Sequence, residues 1–251
     1  MYTKVKTESE IADMRESGRM LASVLSLLKD KTRAGQTTKE AADLAAKELK
    51  ALGGGRPAFL DYKGFPDVLC VSLNDEIVHG IPSRRELKSG DLVSYDFGVD
   101  FKGMITDAAL TMIVGQNDDP NVKRLLTGTE QALYAGIDTL KDGVRVGDLS
   151  AAVEAVLKKH SLGIVRELVG HGVGHKIHEE PNLPNYGTAG TGPVLKSGMT
   201  LAIEPMTMLG QEDIGLYDDG WTVVTADHSL SAHFEHTVLI TPGGAEILTR
   251  P

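Results

Sequence analysis

Four carboxylates, Asp96, Asp107, Glu204 and Glu235, stand inside apolar runs that read as β-strands. An apolar strand carries an acid inward only where something neutralises it. Two of the four are related by a repeated phrase. Leu87-Lys88-Ser89-Gly90 leads to Asp96, and Leu195-Lys196-Ser197-Gly198 leads to Glu204, 108 residues further on. Any one of these acids could be an exposed residue on a solvated strand face. Four of them from two related halves point to one shared site. Clustered carboxylates repel, so either their pKa values rise or cations sit between them. Two divalent ions, about 3.5–4 Å apart in two-metal hydrolases, are the natural solution. An oxygen-rich set with room for one imidazole suits manganese, iron(II) or cobalt, and zinc less selectively. Water bridging two such ions loses a proton near neutral pH, so the chemistry expected is hydrolysis. No glycine loop or basic cluster is present to hold a phosphate.

Other residues compete for a place at this site. His171, His175 and His178 suggest a helical zinc motif, but Gly172 follows His171 where that motif needs Glu, and Gly172 and Gly174 disfavour a helix. In a strand or bend, one or two of the three could face the acids, and spacing does not say which; His175 reads as a loop residue. Gly80 and Pro82 flank a bend, so His79 just before it belongs at the end of a strand. Met206 and Met208 read first as core filler. Trp221, Tyr62 and Phe65 could be pocket walls or ordinary core, and Cys70 lacks a partner that would make it a nucleophile.

The elements that must position these residues repeat in order. Thr7 with Glu10 and Thr37 with Glu40 are capping boxes that open two helices. Ile11, Met14, Leu21, Val24 and Leu28 form the apolar stripe of the first, and Gly18 on that stripe marks a close helix contact. Leu92 to Phe101 and Met104 to Val114 read as a hairpin around Lys102-Gly103. Asp96 and Asp107 are eleven apart, which puts both on one face of an antiparallel pair. A four-residue loop, Asp100 to Gly103, would set them directly opposite, with Cβ atoms about 5 Å apart. Gln116 to Asn121 is the expected boundary between halves, about 1–117 and 118–251, within a single domain. The second half then opens a helix near Pro120 and another at Gly147-Asp148. Glu204 and Glu235 follow on strands, with Ser231 to Thr241 read as one alternating run. Gly35 and Gly143 are also 108 apart, so the chain is an internal duplication with pseudo-twofold symmetry.

The bulk numbers agree with a globular protein. Of 251 residues, 41% are hydrophobic, enough for a sizeable core. The net charge of -9, with no long basic run, argues against a nucleic-acid partner. A single cysteine excludes an internal disulfide and fits a reducing compartment. The polar N-terminus is no secretory signal, and no apolar run approaches a membrane span, so a cytoplasmic location is expected.

The series Asn74-Asp75-Glu76-Ile77-Val78-His79-Gly80-Ile81-Pro82, Asp96, Asp107, His171-Gly172-Val173-Gly174, His178-Glu179-Glu180-Pro181, Gly198 to Pro205 and Ser231-Ala232-His233-Phe234-Glu235-His236-Thr237 closely resembles type I methionine aminopeptidase. The resemblance spans nearly the whole chain. It implies the α/β pita-bread fold, a duplicated unit around an antiparallel sheet with helices on its outer face. It implies metal ligation by Asp96, Asp107, His171, Glu204 and Glu235, with Asp107 and Glu235 bridging and Glu204 also the general base. His79 would contact the scissile amide, and His178 would polarise its carbonyl oxygen. Tyr62, Phe65, Cys70, Ile177 and Trp221 fall where the family builds its methionine pocket. The implied activity is removal of the initiator methionine from nascent chains when the next residue is small. The substrate's origin makes ribosome association plausible, though no motif shows it, and a monomer is expected. This chain departs from the family pattern at Thr106 and Ala108 beside Asp107, at Ile177, and at His233, where the family often has Gln. Two other readings are a pita-bread peptidase cutting before proline and a non-catalytic peptide-binding module. The five filled ligand positions argue against the module.

Overall fold

The computed structural model describes residues 5–250. The first half opens with α1 (Glu8–Lys31) and α2 (Thr38–Leu52). Each starts at a reciprocal cap: the Thr7 and Thr37 amides donate to the Glu10 and Glu40 carboxylates at 2.7 Å, and each glutamate's amide donates back to the threonine hydroxyl. Short strands follow, β1 (Gly55–Pro57), β2 (Cys70–Leu73) and β3 (Glu76–Val78), and then the long hairpin β4 (Leu92–Phe101) and β5 (Met104–Ile113). The stripe of α1 is buried and packs on this hairpin, where Leu21, Val24 and Leu28 meet Val93, Tyr95 and Phe97 in one core cluster. Gly18 does mark a close approach, but to backbone rather than to a helix. A Cβ there would fall 2.1 Å from the carbonyl oxygen of Leu248, near the C-terminal end of the described chain.

The second half repeats the order with α3 (Pro120–Asp138) and α4 (Val146–Lys159). Asp119 caps α3 through the Asn121 amide, with Pro120 in the first turn, where no amide partner is required. Its strands are more numerous and shorter: β6 (Gly163–Ile164), β7 (Gly170–Gly172), β8 (Glu179–Leu183), β9 (Thr200–Ile203), β10 (Met206–Met208), β11 (Ile214–Leu216), β12 (Val223–Thr225), β13 (Ser231–His233), β14 (His236–Thr241) and β15 (Gly244–Ile247). All strand pairings are antiparallel. In the first half, β5 and β2 flank β4, with β1 pairing beyond β2's contact; in the second, the order is β15-β14-β9-β7-β8. A second core, built by α3 and α4 on the β9 and β14 side, holds Leu133, Ile137, Leu149, Val153, Ile203 and Val238.

Candidate metal centre and pocket

The two acids of the first half are carried by an uninterrupted hairpin. Lys102 and Gly103 both have positive φ, 53° and 83°, and close it as a two-residue turn. That turn suits the natural strand twist better than a four-residue loop. Phe101 therefore pairs with Met104, which puts Asp96 opposite Ala109 and Asp107 opposite Gly98. The acids share a face as expected, but they are diagonal neighbours rather than directly opposed. Gly98 leaves room for the pocket, since a Cβ there would meet Phe59 at 2.8 Å.

The acids of the second half stand where strands break. Glu204 and Pro205 separate β9 from β10, and Phe234 and Glu235 separate β13 from β14, so the expected single run from Ser231 to Thr241 is two strands. The register is kept across the gap. Ile203 pairs with His236 and Met206 with His233, which brackets Glu204 opposite Glu235. The break has a tertiary cause. Glu235 turns its backbone to the first half, its amide donating to Ala109 O at 2.9 Å and its carbonyl accepting from Ala109 N at 3.4 Å. Threonines clasp the strands on either side. The Thr237 hydroxyl accepts from the Asp107 amide and donates to the Asp107 carbonyl, both at 2.8 Å; Thr111 does the same to His233. All four acids thus meet at the seam between halves.

His171 joins them from β7, which pairs with β9 at Ala202. Its Nδ1 lies 3.0 Å from Gly172 O and donates there, leaving Nε2 to point at Glu204 Oε1 at 3.2 Å. Burial pulls the imidazole's pKa down, but the hydrogen bond and charge of Glu204 outweigh it, so the net direction is up. Ligand atoms of Asp107, His171 and Glu235 all lie within 4.8 Å of one another. Asp96 Oδ1, Asp107 Oδ1 and Glu235 Oε1 are buried and receive no hydrogen bond. Burial, reinforced by the charge of Glu204, pushes Asp96 up to about 8. Burial and the neighbouring acids push Asp107 and Glu235 well above the carboxylate range. Buried acceptors without donors, next to an imidazole whose Nε2 faces the acids, are what divalent cations satisfy. The residues fit such ions.

Above the acids lies a cavity of about 200 Å³. Tyr62, Phe65, Cys70, Ile177 and Trp221 line it, together with His79 and His178. Phe59 and Lys63, which no spacing or motif in the sequence singled out, also line it, as does Val78 from the Asn74 to Pro82 motif. Phe65 and Trp221 meet edge to face, with centroids 5.3 Å apart. Cys70 pairs with Asp96 across β2 and β4, and burial pushes its thiol pKa well up. His79 follows β3 with φ of 62°, a left-handed turn that swings its ring out of the strand, and burial lowers its pKa. His178 Nδ1 lies 2.9 Å from the Tyr62 hydroxyl, and its ring is 4.3 Å from that of His171. Burial and the charge of His171 hold its pKa below the ordinary value. His175 faces away, 2.7 Å from Glu10, in keeping with a loop residue. His233 is 1% exposed, with Nε2 3.8 Å from both Glu204 and Glu235 and neither ring nitrogen hydrogen-bonded. Burial pulls its pKa to about 3.

Comparison with known proteins points to one family. Residues 12–242 match the model of metallopeptidase family M24. The chain is 45% identical to a methionine aminopeptidase of Clostridium perfringens and 44% identical to methionine aminopeptidase 1 of Bacillus subtilis, with 98% of each chain covered. The crystal structure of a Thermotoga maritima methionine aminopeptidase superposes with a TM-score of 0.97 at 43% identity, covering 99% of this chain and 100% of that one.

Proposed function

The chain belongs to metallopeptidase family M24, among the methionine aminopeptidases, and from that premise we propose that it removes N-terminal methionine from nascent polypeptides when the next residue is small. The fold is the family's pita-bread fold. The observation that carries the reading is the group of buried, donorless carboxylate oxygens at the floor of an apolar pocket. Asp96, Asp107, His171, Glu204 and Glu235 would hold two divalent ions; manganese, iron(II) or cobalt suit this donor set, and zinc less selectively. Such ions, when bound, lower the pKa of water toward neutrality and polarise a carbonyl.

The chain's own residues do the rest. Glu204 takes the proton of the attacking water as general base. His178 donates from Nε2 to the carbonyl oxygen as negative charge develops there. That tautomer requires Nδ1 to accept from the Tyr62 hydroxyl, which the 2.9 Å contact permits. A lowered pKa keeps the ring neutral and able to donate without carrying charge. His79, half-buried against Trp221, contacts the scissile amide and steadies the leaving group. Phe59, Phe65, Cys70, Ile177 and Trp221 form an apolar hole for a thioether, whose sulfur is drawn to aromatic edges.

The test is cleavage of Met-Ala-Ser, Met-Pro and Ala-Pro peptides by protein stripped with chelator and then given each metal in turn. Release of methionine from Met-Ala-Ser alone, abolished by chelator, is expected. Cleavage of Ala-Pro only, or none with any metal, would overturn the proposal.

A further inference from the structure

We infer that the buried Lys6–Glu179 ion pair is a positioning device for His178, through which the N-terminal segment holds the turn between β7 and β8 in its working place. The inference rests on the role proposed above for His178. The Lys6 side chain is fully buried, and its Nζ lies 3.2 Å from Glu179 Oε2, whose own side chain is 5% exposed. The Lys6 amide donates to Gly198 O at 2.8 Å, so the lysine is fixed at its backbone end too. The turn lies flat on the lysine stem: a Cβ on Gly174 would fall 2.4 Å from Lys6 Cε.

The base of the turn is tied to the sheets by backbone. Val173 N donates to Thr200 O, and Ile105 N donates to Gly174 O at 2.7 Å. Gly174 N donates to Lys176 O at 3.1 Å within the turn, and side chains supply the rest of its fastening. Glu179 Oε1 accepts the Lys176 amide at 3.1 Å while Oε2 meets Lys6, so one carboxylate spans the turn that carries Ile177 and His178. His175 bridges outward, its Nε2 2.7 Å from Glu10 and its Nδ1 3.7 Å from Glu179, which ties the same turn to α1. A buried ion pair is a doubtful source of stability, since an apolar pair of the same shape often does as well. What it supplies here is a fixed direction for the residue that precedes Glu179. A shift of about 1 Å in a group that touches the reacting carbonyl is enough to cost about 100-fold in rate.

The experiment is a double-mutant cycle on the full-length, metal-loaded chain, with Lys6→Met, His178→Ala and the pair assayed on Met-Ala-Ser. Lys6→Met is expected to lower kcat/KM about 10- to 100-fold in the native background, and by under about twofold once His178 is gone. Hydrogen exchange is measured beside it. Amides of residues 175–179 are expected to exchange faster in Lys6→Met while β4, β5 and β9 keep their protection. A merely structural lysine would weaken protection throughout and cost activity equally in both backgrounds. Either result, or unchanged exchange in the turn, would overturn the inference. If Lys6→Met folds poorly, Glu179→Gln carries the same comparison, because it keeps an acceptor for the Lys176 amide. A wild-type chain that left the peptide uncut would count against the proposed function; the exchange pattern alone would then decide this inference.

Discussion

The two halves share a plan and differ where they meet. In the first, β4 and β5 run unbroken and hold Asp96 and Asp107 as diagonal neighbours. In the second, both strands of the matching pair break, and Glu204 and Glu235 face each other across the gap. The registers show how the halves correspond. With Asp96 matched to Glu204, Ala109 stands where the second half has Glu235, and Asp107 stands where it has His233. Thr111 likewise matches Thr237, and each clasps the other half's backbone. The duplication therefore supplied a symmetric frame, but only one pair of acids is truly equivalent. The other two acids were placed independently, one on each side of the axis.

This asymmetry can be broken at several points. The largest effect is expected at Glu204→Gln, which preserves shape and removes the proposed base; kcat should fall about 10²- to 10⁴-fold with little loss of fold by circular dichroism. Retention of full turnover would dismiss its assigned role. Next, Asp107→Ala should lower the number of metal ions retained after dialysis, because Asp107 faces both His171 and Glu235. The acids also predict a pH dependence of the metal-free protein. Asp96, Asp107 and Glu235 have raised pKa values, so the folded state holds protons that the unfolded chain releases. Their contribution is present in full below about pH 4 and declines as pH rises, the Asp96 share being lost through about 8. Thermal denaturation should show the metal-free Tm falling across that window, with added metal restoring it. A metal-free Tm that rose with pH would contradict the burial argument.

His233→Gln tests whether the counterpart of Asp107 has kept any share of the chemistry. Its ring is neutral at working pH and beyond hydrogen-bond reach of both glutamates. The shape of the pH–rate profile between pH 5 and 8 should not change, and metal content should match wild type. The smallest effect concerns the paired turns. Gly90 and Gly198 both have positive φ, so alanine costs about 1–2 kcal/mol at either. A Cβ on Gly90 meets nothing closer than 3.8 Å, whereas one on Gly198 falls 2.7 Å from Val5. Gly198→Ala should therefore lower Tm more than Gly90→Ala does.

Much of this was legible in the sequence because it is local. Capping boxes and helical stripes follow from spacing within one element, the shared face of Asp96 and Asp107 from parity across one hairpin, and the repeated phrase from a constant offset of 108 residues. The failures are tertiary. The expected loop from Asp100 to Gly103 is two residues longer than the Lys102-Gly103 turn, both on its N-terminal side, because parity fixes the face of a strand but not its register. The break at Phe234 and Glu235 leaves no mark in an alternating pattern; it exists because Ala109, on another strand, pairs with the Glu235 backbone. Gly18 was visible as a close contact, yet its partner, Leu248, lies at the far end of the chain. Phe59 and Lys63 line the pocket only because β1, β3 and the segment between them fold around it.

The reciprocal threonine clasps have one further consequence. Two separate molecules meeting along such a seam would part on dilution. Here a covalent connection keeps the partners at an effective concentration on the order of millimolar, whatever the amount of protein in the tube. Ion uptake by this site should accordingly be as complete at nanomolar protein as at micromolar, provided free metal is held constant.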